Sequence, residues 1–178
     1  YIEELVVEQL MFGEYTTIYS NDLWKITNLN VPSTAIDLSD LRHLLYLETL
    51  SLTNREIGDL SFLEGMTRLK RLDLSGCTIT ADLSVLKTLP ALEELNLRGC
   101  SVSSLAFLEG APSLKKLDLS SNAVGNISVL ATIPTLQTLD LSDNAVRDLS
   151  PLAGLTELTS LNLSENVISD ISPLASCL

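Results

Sequence analysis

The side chains on which most enzymes and metal sites depend are scarce in this chain. Its 178 residues include one His, three Cys and one Trp, and aromatic residues make up only 4%. A single His and an odd number of Cys do not give the paired ligand spacing of a zinc site or a disulfide framework. The eight Gly are scattered, and none forms a loop that could cradle a phosphate. We therefore expect no catalytic residue, no metal and no cofactor.

Basic residues and long apolar runs are also lacking. Lys and Arg number 11 against 23 Asp and Glu, which gives a formal net charge of -12. This charge opposes binding to phosphate backbones and to anionic lipid, because both depend on cationic contacts. Although 46% of the residues are hydrophobic, no apolar run approaches the ~20 residues that cross a bilayer. We expect no nucleic-acid partner and no membrane insertion of this segment.

What the chain does have is a repeated pattern, Leu-x-x-Leu-x-Leu. Successive copies begin 22, 23, 22, 22 and 22 residues apart. Their first residues are Leu47, Leu69, Leu92, Leu114, Leu136 and Leu158. A strict period in this range is typical of a leucine-rich-repeat solenoid, in which each coil buries its apolar face against its neighbours.

A single repeat shows how each coil is built. Leu139 and Leu141 alternate with the polar Thr138 and Asp140, as in a short strand with one buried face. Only about ten residues remain for the return, which suits a 3₁₀ or irregular segment better than a long helix. The pattern predicts an α/β solenoid: a right-handed superhelix with a parallel β-sheet on its concave face and a short 3₁₀ or irregular convex side.

One position after each strand is expected to bind backbone groups with its side chain. From the first full coil onward it holds Arg55, Cys77, Cys100, Asn122, Asn144 and Asn166. An Asn amide there can satisfy turning backbone, and stacked copies would form a ladder. The neighbouring Cys77 and Cys100 are either buried free thiols or, since adjacent strands lie ~4.8 Å apart, a disulfide. The single 23-residue interval predicts a bulge near residues 80–82.

We expect one continuous domain with a different piece at its beginning. Residues 1–25 suit an N-terminal helical cap, with Phe12 and Trp24 filling the first open edge of the core. Residues 26–178 then form one partial coil and six full coils. Leu161, Leu163, Ile168 and Ile171 should lie near an uncovered edge, so the native protein is expected to continue past Leu178 or to self-associate through that edge.

The repeats resemble a known family. The segments Asp148–Thr156 and Ile168–Leu174, together with the upstream stretches Glu3–Leu10, Ser20–Leu23, Ile26–Leu29 and Ile36–Leu41, are similar to the repeats and cap of internalin-type bacterial leucine-rich-repeat proteins. The resemblance implies a protein-binding module of a bacterial secreted or surface protein, and hence an extracellular or cell-surface location. The same repeat class also includes intracellular regulatory subunits of protein phosphatase 1, and a structural spacer for another domain is a third interpretation.

The concave face is the largest surface that such a fold offers to a protein partner. No Trp, Tyr or Phe lies in its outward columns, and we expect Arg71 and Arg98 to contribute most to binding. The full set of expected partner-binding residues is Arg71, Asp73, Glu94, Asn96, Arg98, Lys116, Asp118, Thr138 and Asp140. Catalysis is not expected, because His43 is two coils away from Cys77 and only neighbouring coils touch.

Overall fold

Short parallel strands, one for each coil, form the main sheet of the computed structural model, which describes residues 20–35 and 37–176. Seven strands pair one after another along the chain, and every neighbouring pair is parallel. They are β1 (Asn28–Asn30), β2 (Thr49–Ser51), β4 (Arg71–Asp73), β6 (Glu94–Asn96), β7 (Lys116–Asp118), β8 (Thr138–Asp140) and β9 (Ser160–Asn162). The predicted solenoid with a parallel sheet is confirmed.

The register follows the leucine repeat. The central residue of each strand is a Leu, and Leu50 pairs with Leu29 on one side and with Leu72 on the other. These leucines point away from the exposed face and are buried from Leu29 through Leu139. Each strand turns its two flanking side chains outward, because successive side chains of a strand alternate between faces. One continuous apolar core therefore runs along the stack.

The return legs are 3₁₀ helices, as predicted. They are Ser39–His43, Ser61–Leu63, Leu83–Thr88, Ala106–Leu108, Ser128–Thr132, Ser150–Leu152 and Ser172–Ser176, with a further one at Ser20–Lys25 before the first strand. An acidic or amide side chain precedes most of them and accepts the N–H two residues on, as Asp148 does from Ser150 at 2.8 Å. Phe62 and Phe107 lie within these turns and are buried.

A polar ladder closes each coil onto the one before it. Asn144 Nδ2 donates to Leu119 O of the preceding coil at 2.8 Å and to Leu141 O of its own coil at 3.1 Å. Its Oδ1 accepts from Val124 N at 2.8 Å. Asn122 and Asn166 bind equivalent groups. The predicted Asn ladder is confirmed.

The residue before each ladder position has a left-handed backbone. Its φ is 55° at Asn54 and 54° at Glu165, and in the two Cys coils the position is held by Gly76 and Gly99, at 68° and 64°. A Cβ on Gly76 would collide with Oδ1 of Asn54. Glycine adopts this φ without strain, and a side chain at position 76 would also require the Asn54 side chain to move. The left-handed residue turns the chain inward, which aims the next side chain at the ladder.

The early coils fill the ladder with other donors. The Cys77 thiol donates to Leu52 O at 2.7 Å and the Cys100 thiol to Leu74 O at 3.0 Å, and both Cys are free and buried. The free-thiol alternative is thus confirmed for this pair. Arg55 Nη2 donates to Val31 O and Pro32 O, both at 2.6 Å. Each of these side chains binds the same carbonyl position that the Asn ladder binds in later coils.

The extra residue of the irregular interval lies beside a second, smaller sheet. Strands β3 (Glu56–Ile57) and β5 (Thr78–Ile79) pair in parallel on the side where the chain leaves the main sheet. Just after β5, the N–H groups of Thr80 and Ala81 both point at Ile57 O, at 3.0 and 3.3 Å. Ile57 pairs with Ile79, and Asp59 caps its return leg as Asp82 caps the next one. Thr80 and Ala81 therefore lie opposite the single Gly58, which is a bulge, as the sequence predicted.

Both ends of the described chain differ from the middle. The predicted cap helix at residues 3–10 and Phe12 lie outside the described residues, and only the Ser20–Lys25 3₁₀ helix is seen. The prediction that Trp24 fills the core edge is wrong, because its side chain is 57% exposed. In the last coil Leu161, Leu163 and Ile168 are only partly buried, and Ile171 is 69% exposed.

Candidate functional site

The concave face holds an open groove of about 490 Å³ across the middle of the main sheet. Eight of the nine predicted partner-binding residues line it: Arg71, Asp73, Glu94, Asn96, Lys116, Asp118, Thr138 and Asp140. Strand pairing places their side chains, since Arg71, Glu94, Lys116 and Thr138 occupy matching positions on four successive strands. The sequence register therefore gave the correct neighbours across the sheet.

The first outward column is an ion-paired row. Glu94 is held between two cations, with Oε2 at 3.2 Å from Arg71 Nε and Oε1 at 2.9 Å from Lys116 Nζ. Partial burial raises the pKa of Glu94, but hydrogen bonds from Lys116 and Arg71 outweigh it and leave that pKa lowered. Glu94 is therefore ionised at neutral pH. The row is fixed before any partner arrives, which reduces the entropy lost on binding.

In the second outward column, Asp118 and Asp140 bind the turns that follow their strands. Asp140 Oδ1 accepts from Ser142 N at 2.8 Å and from Ser142 Oγ at 2.6 Å, and Asp118 makes the same pair of bonds to Ser120. Partial burial raises the pKa of Asp140, but these bonds, the Asn162 amide and the charge of Arg98 leave it lowered. The two carboxylates are thus parts of their own turns, which explains why Asp recurs in the repeat.

Arg98 differs from the other predicted residues. It lies two residues beyond the end of β6 and does not line the groove. Its backbone N–H donates to Asn96 Oδ1 at 3.0 Å, while its exposed guanidinium has no carboxylate within ion-pair distance among the described residues. Arg98 is therefore positioned at the rim, with its charge available to a partner.

Thr49 and Ser51 also line the groove, although they are absent from the predicted set. They occupy the same two columns on β2, so the strand register contained the signal for them. The predicted set favoured charged positions, and these two residues carry none. Their inclusion extends the groove toward the first coils.

The groove is lined by hydrogen-bonding and charged groups. Within residues 20–35 and 37–176, no group of three or more His, Cys, Asp or Glu could hold a metal ion. The same part of the chain contains no helix long and apolar enough to span a membrane. His43 lies exposed on a 3₁₀ return leg, beside Arg42. The chemistry of this face is that of recognition by hydrogen bonds and charge.

Comparison with known proteins agrees with this architecture. The family model described as leucine-rich repeats, in two copies, matches residues 47–88, 90–132 and 134–176. No curated protein matches the sequence. Many solved structures do, and three of them illustrate the range.

The structure of internalin C2 from Listeria monocytogenes is 35% identical, with a TM-score of 0.85, and the match covers 92% of this chain and 72% of that one. An internalin (InlF) of the same species is 25% identical, with a TM-score of 0.68, covering 92% of this chain and 61% of its own. TLR13 in a complex with ssRNA13 is 26% identical, with a TM-score of 0.74, covering 88% of this chain and 24% of its own. The chain belongs to the leucine-rich-repeat family and is internalin-like within it.

Proposed function

We propose that this chain is a non-enzymatic protein-binding module of a bacterial secreted or cell-surface protein, with its partner seated on the concave face. Leucine-rich repeats of this kind serve in general as protein-interaction modules. The concave location and the surface role are the proposal. The observation that carries it is the preformed groove, whose central charges are already fixed by the Arg71–Glu94–Lys116 row.

The charge balance of this face supports a protein partner. The nine predicted residues include three cations and four carboxylates, while the whole chain has 11 Lys and Arg against 23 Asp and Glu. The concave face is thus nearly neutral on a strongly acidic molecule. A nearly neutral, polar face with ordered side chains suits a folded protein surface, whose own charges are mixed.

The resemblance to Listeria internalins supports the bacterial secreted or surface role. An intracellular regulatory subunit of the phosphatase-1 type and a spacer for another domain remain the competing interpretations. The spacer interpretation predicts that no protein binds this segment alone, so a binding experiment separates it from the proposal.

The test uses a displayed library of folded protein domains selected for binding to the whole chain. Selected binders are then measured against the double variant Arg71→Ala/Arg98→Ala. We expect about a tenfold or greater loss of affinity, equivalent to at least about 1.4 kcal/mol. Arg147→Ala is the matched control, because Arg147 is an exposed cation outside the sheet. Equal affinity for the double variant and the control would remove the site from the concave face.

A further inference from the structure

Three exposed apolar side chains cluster where the strands of the first two coils begin. Among the described residues five large apolar side chains are exposed, and three of them are Trp24 at 57%, Leu45 at 44% and Tyr46 at 42%. The other two, Val167 and Ile171, lie in the last coil. Water-exposed rings of this size favour burial against a partner, since burial removes a large apolar area from water.

Repeat register places these residues side by side. Leu29 pairs with Leu50, so counting back along both coils puts Trp24 beside Leu45 and Lys25 beside Tyr46. Leu50 pairs with Leu72, and Tyr46 and Arg68 each lie four residues before their Leu, so Arg68 occupies the same column as Tyr46 on the next coil. The backbone supports this alignment, because Ile26, Leu47 and Leu69 each close the same three-residue turn, onto Leu23, Leu44 and Met66.

A cation lies over each aromatic ring of the group. The Lys25 ammonium is 5.6 Å from the centroid of the Trp24 ring, and the Arg68 guanidinium carbon is 4.8 Å from that of Tyr46. We call Trp24, Lys25, Leu45, Tyr46 and Arg68 the aromatic–basic patch. When a guanidinium stacks on a ring, its N–H groups point outward in the guanidinium plane, where they can still form a bidentate hydrogen bond to a carboxylate.

The requirements of the repeat do not explain the patch. The same two columns continue along the stack as Pro90 and Ala91, then Pro112 and Ser113, then Pro134 and Thr135. Those coils pack and turn with small or neutral residues at these positions. The rings and cations are therefore confined to one end, and they add nothing that the core or the turn needs.

We propose that the aromatic–basic patch is a second docking surface, and that it binds an acidic protein segment carrying an apolar side chain. The apolar group would bury Leu45 and the free faces of the rings, while carboxylates would bind the Arg68 guanidinium. Glu48, the acid whose charge faces Arg68, is already bound to Lys70 at 2.9 Å. The Arg68 guanidinium is thus directed to a ligand rather than paired with Glu48.

Charge complementarity selects this occupant over two others. A second copy meeting the patch across a twofold axis that passes through it would bring Arg68 close to Arg68 of the other copy, which is repulsive. A membrane surface suits Trp and Tyr, but binding to anionic lipid takes a cluster of about four to eight Lys or Arg, and the patch has two. The acidic remainder of the surface would also repel an acidic ligand that missed the patch, which favours correct docking.

The chain has a single Trp, so its emission reports on the patch directly. The probe is a short synthetic peptide of Glu and Ser with a central Leu-Leu pair, titrated into the whole chain. We expect a saturable shift of Trp24 emission to shorter wavelength, and no shift from the same peptide with Lys in place of Glu. An unchanged emission up to the solubility limit of the acidic peptide would overturn the proposal.

Variants separate local contact from long-range charge. Arg68→Glu should weaken the acidic peptide about tenfold or more and allow the Lys peptide to bind, whereas Arg147→Glu, with the same charge change on an exposed loop, should change neither by more than about twofold. Tyr46→Ala tests the apolar contribution without altering charge. Equal losses of affinity from Arg68→Glu and Arg147→Glu would refute the proposal. A shift of Trp24 emission on addition of anionic vesicles would point to a membrane instead, and self-association that Tyr46→Ala abolishes would point to a second copy; either result would overturn the proposal. The concave variant Arg71→Ala/Arg98→Ala should bind the peptide normally, so this proposal and the concave site can fail separately.

Discussion

At the residue scale, one carbonyl position in each coil is satisfied by three different kinds of side chain. Leu119 O accepts from the Asn144 amide, Leu74 O from the Cys100 thiol and Val31 O from the Arg55 guanidinium. The amide is also a good acceptor and takes the N–H of Val124 in the coil before it, whereas a thiol sulfur accepts only weakly and a guanidinium does not accept. The Asn coils therefore tie two neighbours together more completely than the Cys coils do.

Replacing Asn144 tests the value of that link. Asn144→Ala leaves Leu119 O and Val124 N without their amide partner inside the stack, and we expect a loss of about 2–3 kcal/mol in the free energy of unfolding, measured in urea. Asn126→Ala is the matched control. Asn126 is exposed and accepts a single N–H at 2.9 Å from Ser128, so its loss should cost about 1 kcal/mol or less. Equal costs would mean that the ladder adds no stability beyond a surface cap.

The two ladder thiols should be chemically inert in the folded chain. Burial raises the pKa of Cys100 to about 11 and also raises the pKa of Cys77, so neither is a thiolate at neutral pH. In the Cys177→Ser chain, a thiol-reactive disulfide reagent should label neither residue in buffer and both in urea. Rapid labelling in buffer would show that the early coils open far more readily than the later ones.

At the element scale, strands and return legs could be predicted from the sequence because each is set by local pattern. Alternation of Leu with polar residues gives strands as short as Thr138–Asp140, and the few remaining residues exclude a long helix. The small sheet of β3 and β5 could not be predicted, because its two-residue strands lie outside the alternating Leu pattern that marks the main sheet.

The site could be predicted in part. Register alone brought Arg71, Glu94 and Lys116 together, because equal positions of equal repeats must be neighbours. It could not show that Glu94 binds both cations, or that Arg98 stands outside the groove, because side-chain conformation is not periodic. The exposure of Trp24 could not be predicted either, because large aromatic side chains are usually found in the core.

Carboxylate caps on the return legs should make the fold acid-sensitive. The backbone N–H of Ser150, and then its hydroxyl, hold the pKa of Asp148 below the ordinary 3.8, and Asp59 and Asp170 are held in the same way by Ser61 and Ser172. A lowered folded pKa means that this stability is complete above the ordinary pKa and is lost as the pH falls through the lowered values.

The triple variant Asp59→Asn/Asp148→Asn/Asp170→Asn keeps the acceptors and removes their titration, as Asn126 does naturally in its coil. Its urea midpoint should therefore fall less than that of the parent between neutral pH and about pH 3. The control, Glu56→Gln/Glu64→Gln/Glu165→Gln, removes the same charge from exposed side chains that accept no N–H at the start of a return leg. If both triple variants follow the same pH curve, net charge alone accounts for acid sensitivity.

At the scale of the whole molecule, each coil is stabilised by the coils on both sides. Leu139 has a coil on each side and is 1% exposed, whereas its counterpart Leu161, in the last coil, is only partly buried. This difference is expected of a quasi-one-dimensional stack, in which contacts reach only to nearest neighbours. The outer edge of β9 and the apolar side chains beside it are consequently the most exposed part of the described core.

That exposure predicts self-association of this chain through the last coil. Ile171 at 69% and Val167 at 47% are exposed in the coil that contains β9, and a strand edge with apolar residues near it readily pairs with another chain. Sedimentation velocity over a range of concentrations should show reversible association, and Ile171→Lys/Val167→Lys should suppress it, because a charge on such an edge opposes pairing. Leu45→Lys, which places a single Lys on an apolar side chain at the far end of the stack, is the control and should leave the association constant within about twofold. Association that persists in the double variant would place the contact elsewhere on the solenoid, and a chain that stays monomeric at every concentration would show that the exposed edge is tolerated in water.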